Sequence, residues 1–286
     1  MTNAVINTGT DTVQPNGVRP TPVRSEVVKI YPVRDSLTML RRNIKNQLRY
    51  PVTVIAIVGI PVLFLLLFVY VFGGALGTAV TDLGSAHYVD YVLPGLIIMT
   101  AAAGLLGTST STSVDMTEGI IARFRTMAIF RPSILIARVI SSVLQTLASM
   151  AAVLGVALLM GLRPTATLVE WGAAIGLLVY ISFALTWLGL AFGLAAKTVD
   201  AASNAPFPLI LLPLVGSGIV PTDSMPTAVR YFAEYQPFTP MIETLRGLMQ
   251  GSPIGNSAWI AIAWCTGITI VGFLWSTKAF NRDRAH

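Results

Sequence analysis

The chain has 286 residues, 54% hydrophobic and 11% charged, with a mean hydropathy of +0.71. Soluble domains carry about 25% charged residues, so this balance excludes a soluble globule and implies an integral membrane protein. The net charge of +6 is not a nucleic-acid footprint, because the basic residues gather at the ends of apolar runs. A single cysteine, Cys265, excludes an intrachain disulfide.

Residues 1–34 form a polar stretch in which Pro15, Gly17, Pro20 and Pro22 punctuate a disordered tail over Met1–Arg24. It lacks the apolar centre of a cleavable signal peptide. Asp35–Tyr50 is predicted as an amphipathic interfacial helix. Leu37, Leu40, Ile44 and Leu48 recur at helical spacing, opposite Arg41, Arg42, Lys45 and Arg49, which face lipid phosphates. Six apolar spans follow, at Val52–Phe72, Tyr91–Ser113, Val139–Met160, Trp171–Ala196, Ala201–Val220 and Ala258–Thr277. Each is near the roughly 20 residues that cross a bilayer, and none contains Asp, Glu, Lys or Arg. The fifth holds Pro206, Pro208, Pro213, Gly216 and Gly218 and is predicted to be kinked and closely packed, through packing alone or as a moving element at a dimer axis. Trp171, Trp187, Trp259 and Trp275 are expected near span ends as interfacial anchors, with Trp264 within the sixth span.

Between the fifth and sixth spans, Pro221–Ser257 carries two short helical patterns, Thr227–Tyr235 and Met241–Met249. Neither is long enough to span, and Ile242, Leu245, Leu248 and Met249 give the second an apolar face. They are expected to lie on or dip into one leaflet as a re-entrant element. An even number of spans puts both termini on one side. That side then holds sixteen lysines and arginines against three, Arg163, Arg230 and Arg246, so both termini are expected in the cytoplasm.

Several chemistries are missing. None of the four lysines, Lys29, Lys45, Lys197 and Lys278, follows glycine, so no P-loop is present. One cysteine and two histidines, His87 and His286, expected on opposite sides, give no metal cluster. A Ser–His–Asp triad would need His87 near Asp82 and Asp90, where a solvated loop histidine is the simpler reading. Ion-driven transporters carry charged groups inside their spans. If this protein moves something uphill, the energy enters from outside the bilayer.

The segment Asp115–Pro132, between the second and third spans, is charged and amphipathic. Asp115 with Glu118 three residues on resembles a capping box, and Pro132 ends the pattern. Met116, Ile120, Phe124 and either Met127 or Ala128 share one face, while Glu118, Arg125 and Thr126 lie largely elsewhere. Gly119 would cost roughly 1 kcal/mol within a helix, which close approach to another surface would explain. Composition leaves two readings open: a docking element for another protein, or a basic helix resting on lipid.

The order of parts is similar to the permeases of type-2 ATP-binding-cassette (ABC) transporters, in particular daunorubicin/doxorubicin-resistance exporter permeases. The residues carrying the resemblance are Tyr91-Val-Leu-Pro-Gly95, Asp115-Met-Thr-Glu-Gly-Ile-Ile-Ala-Arg-Phe-Arg125 and Gln236-Pro-Phe-Thr-Pro240. It covers about residues 35–280, the expected transmembrane domain, leaving tails at 1–34 and 281–286. The resemblance implies an all-α fold with six transmembrane helices, an N-terminal amphipathic helix, a cytoplasmic coupling helix and an outer re-entrant element. It implies that Glu118, Gly119, Arg123, Phe124 and Arg125 contact a separate ATPase subunit, with Arg131-Pro132 joining the coupling helix to span three. ATP and Mg would then sit on that partner, and a second permease chain would complete the transporter.

Thr108–Ser113 reads Thr-Ser-Thr-Ser-Thr-Ser. Thr108, Thr110 and Thr112, with Pro213, are candidates for the translocation path, while bonding between helices or to their own backbone is the alternative for the hydroxyls. Uncharged spans suit a hydrophobic or amphiphilic cargo such as a drug, antibiotic or lipid-like product, and the family also exports polysaccharides and lipid-linked glycans. An interfacial membrane enzyme built on Asp82, His87 and Asp90, and a passive channel, are the competing classes.

Overall fold

The computed structural model describes residues 51–72, 85–118, 131–162, 165–220, 222 and 225–282. The tail at 1–34, the amphipathic helix expected over Asp35–Tyr50, the body of the insert and residues 283–286 lie outside them. Every regular element among the described residues is helical.

Helix α1 (Pro51–Leu66) continues into a π-helical stretch, Leu67–Phe72. Helix α2 (Ser85–Thr117) has 33 residues. At about 1.5 Å per residue it is on the order of 50 Å long, more than the roughly 30 Å hydrocarbon core. The second expected span, Tyr91–Ser113, is therefore only its middle. The capping-box reading of Asp115 is corrected here. No helix begins there, because Asp115 lies in the last turn of α2, and the Glu118 N–H donates to the Val114 carbonyl at 2.9 Å. The hydroxyls before it do not break α2, since Thr108 and Thr112 donate to carbonyls four residues back, at 2.9 and 2.7 Å.

Helix α3 (Arg131–Leu159) and helix α4 (Leu168–Ala195) follow. Thr167 caps α4 through a capping box, its hydroxyl accepting from the Glu170 N–H while the Glu170 carboxylate accepts from the Thr167 N–H. The fifth apolar run is broken, as its prolines suggest. It forms α5 (Val199–Asn204) and α6 (Phe207–Val215), then turns through Gly216–Ile219. Pro208 sits in the first turn of α6. Helices α7 (Thr227–Tyr235) and α8 (Phe238–Gln250) match the two short patterns, α8 beginning three residues earlier than the Met241 start. Gly251, in the left-handed region at φ 64°, ends α8, where a Cβ would be strained. Helix α9 (Ser257–Arg282) closes the described chain.

Among the described residues four helices are long and apolar enough to cross a membrane: α2, α3, α4 and α9. The first expected span is helical throughout, over Pro51–Leu66 and Leu67–Phe72, while the fifth is a shorter apolar stretch, Val199–Val215, broken between α5 and α6. Helix α2 is the central post, packed by α1, α3, α4, α5, α6 and α8. Two-thirds (67%) of its apolar window is buried, against 17% for α9, which touches chiefly α4 and α8. The outward face of α9 carries Trp259, Ile262, Trp264, Val271, Leu274 and Trp275. So much exposed apolar surface is unsuited to water and suits lipid.

Small residues set the close contacts. A Cβ on Gly189 would lie 2.6 Å from the Leu105 carbonyl oxygen, and one on Gly193 2.5 Å from that of Ser109, so the α2 backbone lies directly on α4. Trp187 is corrected from a span-end anchor to a core residue. It lies well inside α4, is 8% exposed, and meets the Phe273 ring edge-on with centroids 5.1 Å apart. Cys265 is buried packing.

Candidate functional site

Helix α2 joins two polar sites, one at each end. At the insert end, Asp115 and Arg138 close the two helices that flank residues 119–130. The Arg138 guanidinium donates to the Asp115 carboxylate at 2.5 Å and to the Ser111 carbonyl at 2.6 Å. Its side chain is 14% exposed and that of Asp115 34%, so the pair is only partly screened by solvent. Further back along α2, the Ser109 hydroxyl donates to the Ala202 carbonyl at 2.7 Å, and Thr110 and Ser203 share a hydrogen bond of 3.1 Å. These bonds fasten α5 to α2.

Of the residues expected to contact a partner, Glu118 is an exposed turn residue directly after α2, and Arg131 lies in α3. Gly119, Arg123, Phe124 and Arg125 lie outside the described residues. Of the candidate path residues, Thr108 and Thr112 are buried, their hydroxyls spent on α2 itself, and Thr110 is half-buried against α5. Pro213 is buried in α6 beside Gly218, which lies against Gly95. Gly95 precedes Thr108 by thirteen residues of helix, about 20 Å, so Pro213 and the hydroxyl run are not brought together.

At the opposite end, unwinding after Val215 strips carbonyls of their helical donors, and buried carbonyls need replacements. Tyr91 supplies one through its hydroxyl, 3.2 Å from the Ser217 carbonyl oxygen, and Tyr88 another, 3.5 Å from that of Ile219. Arg246 of α8 donates to the Ser217 carbonyl at 2.5 Å and to the Tyr91 carbonyl at 3.2 Å. Its guanidinium carbon lies 3.9 Å from the centre of the Tyr91 ring, a cation–π stack. Gly95 and Gly218 let α2 and the turn touch, since a Cβ on Gly95 would come within 2.6 Å of Gly218 backbone atoms. Gly216 lies against Gln236 and Thr239 in the same way. The segments Tyr91–Gly95 and Gln236–Pro240, separate in the sequence, thus meet at one unwound turn.

Arg246 is absent from the expected site residues. Its signal is a lone cation within the apolar face of α8, flanked by Ile242, Leu245, Leu248 and Met249. The Gly189-x-x-x-Gly193 pair is likewise a readable helix-packing motif. Among the described residues no three His, Cys, Asp or Glu side chains group as metal ligands.

Residues 35–249 match the ABC-2 type transporter family. The chain is 25% identical over 256 residues to the daunorubicin resistance ABC transporter permease protein DrrB1 of Streptomyces coeruleorubidus, covering 89% of this chain and 88% of that one. It is 23% identical over 258 residues to the probable doxorubicin resistance ABC transporter permease protein DrrC of Mycobacterium tuberculosis, covering 89% and 91%. The matched segment holds both polar sites, and the long apolar helices make this a multi-pass membrane protein: the chain belongs to the ABC-2 type transporter permeases.

Proposed function

We infer that this chain is the membrane subunit of an ATP-driven exporter that carries a hydrophobic or amphiphilic compound, such as a drug, antibiotic or lipid-like product, out across the cytoplasmic membrane. The observation that carries the reading is the family match together with apolar helices that contain no P-loop. Energy must then come from a separate ATPase chain, which holds ATP and Mg. The names of the relatives support a drug-like cargo. Six membrane segments complete the domain, four long helices with α1 and the broken α5–α6 as the other two. The distribution of Lys and Arg supports cytoplasmic termini and a cytoplasmic insert, with α7 and α8 as a re-entrant element on the outer side.

In this arrangement Glu118, Gly119, Arg123, Phe124, Arg125 and Arg131 meet the ATPase, and the Asp115–Arg138 clasp passes the movement of the insert to α2 and α3. A second permease chain completes the path. Thr110 and Pro213 border it on the α5–α6 side, while Thr108 and Thr112 keep α2 helical. The test is reconstitution with the ATPase in vesicles, scoring ATP-dependent efflux of hydrophobic drugs, lipids and lipid-linked glycans. Gly119→Trp and Arg123→Glu are expected to lose ATPase association and efflux together. Retention of both in both variants would exclude the coupling role, and efflux of glycans alone would replace the cargo class.

A further inference from the structure

The turn after α6 contains an unusual set of unmatched atoms. Five buried side-chain polar atoms lack a hydrogen-bond partner among the described residues, and three of them crowd this junction: Arg246 Nε, Ser217 Oγ and Gln236 Oε1. The Gln236 amide is oriented by its neighbour. Thr239 spends its hydroxyl proton on the Ala233 carbonyl at 2.5 Å, so it accepts from the Gln236 amide nitrogen at 3.2 Å and leaves Oε1 over. The three orphans are chemically complementary: a donor, an acceptor, and a hydroxyl that serves as either. Buried orphans raise the free energy of the arrangement that holds them. The guanidinium is one rigid plane, so turning Nε to meet an acceptor also turns Nη2, which now holds the Ser217 carbonyl.

We propose that Arg246 is the latch of the exit gate. In the closed form it pins the unwound end of α6 to α2 and α8 through the Ser217 and Tyr91 carbonyls. In the released form its Nε, Gln236 Oε1 and Ser217 Oγ pair with one another, and the turn 216–220 swings from Gly95 to let cargo leave. Arg246 is thus a positioning residue. The proposal rests on the exporter reading for the direction of transport.

The experiment uses the full permease–ATPase complex in vesicles with Cys265→Ser and Val220→Cys. The rate at which a thiol reagent modifies the single introduced thiol reports opening of the turn. Arg246→Gln removes the charged donor and is expected to raise that rate about tenfold in the resting complex. Ser217→Ala removes one orphan and its released-state partner, so it is expected to lower the rate and slow export. The opposite signs separate a latch from a purely structural contact, which predicts no slowing from Ser217→Ala. Tyr91→Phe, which removes one donor to the same carbonyl, replaces Arg246→Gln should that variant not fold, with a smaller rise expected. ATP-driven export by the otherwise unsubstituted gate, with the thiol modified no faster during turnover than at rest, would overturn the latch alone. Absence of ATP-driven export would overturn the exporter reading as well.

Discussion

Adding one methyl group at two glycines of α4 should change stability in opposite directions. A Cβ on Gly193 would lie 2.5 Å from the Ser109 carbonyl oxygen and 2.7 Å from Thr112 Cβ. Carbon contacts are favourable near 3.5–4.0 Å, so α2 and α4 must separate by roughly 1 Å. No rotamer relieves the clash, because one obstacle is backbone and the other a β-carbon. Overpacking of this kind costs about 1–3 kcal/mol, and alanine returns at most about 1 kcal/mol of helix propensity. Gly193→Ala is therefore expected to destabilise by about 2 kcal/mol, a fall in melting temperature on the order of 5 °C. Gly176, on the exposed face of the same helix, has nothing within 4 Å of its would-be Cβ. Gly176→Ala should be neutral or gain up to about 1 kcal/mol.

The assay is thermal unfolding of the purified permease in one detergent, followed by loss of the monodisperse peak on size exclusion. Gly189→Ala, with its Cβ 2.6 Å from the Leu105 carbonyl oxygen, should resemble Gly193→Ala. The double variant should cost less than the sum, since one separation of the helices relieves both clashes. Equal melting of Gly193→Ala and Gly176→Ala would refute the close approach of α2 and α4.

Two further outcomes concern helix ends. The Asp115–Arg138 pair lies between an exposed pair, worth under about 1 kcal/mol, and a buried one, so a double-mutant cycle with Asp115→Ala and Arg138→Ala should return about 1 kcal/mol of coupling. Strictly additive melting shifts would show that the clasp does not act as a pair. Thr167→Ala should cost about 1 kcal/mol by removing the capping box of α4, with faster hydrogen exchange confined to its first turn and recovery in Thr167→Ser. Unchanged exchange in that turn would show that the cap does not hold it.

Much of the fold is legible in the chain because hydropathy and breakers are local signals. The prolines of the fifth run and the short patterns at Thr227 and Met241 all mark helix boundaries or lie close to them. The misreadings share one cause. Asp115 and Glu118 have the spacing of a helix start, yet Asp115 lies in the last turn of α2, its carboxylate taken by Arg138, 23 residues away. Residue type alone assigns Trp187 to an interface, but it packs on Phe273 of another helix. By charge alone Arg246 is an ordinary cation of an outer loop, while its hydrogen bonds are to Tyr91 and Ser217.

Each partner is remote in sequence, so no window could show it. One inference was nevertheless within reach. A run containing Pro206, Pro208, Pro213, Gly216 and Gly218 cannot stay helical throughout, and each carbonyl it frees inside the bundle must find a donor. A broken apolar segment therefore implies polar side chains aimed at it from other helices. Tyr88 and Tyr91 at the start of α2, and Arg246 on the apolar face of α8, are the donors that this accounting demands.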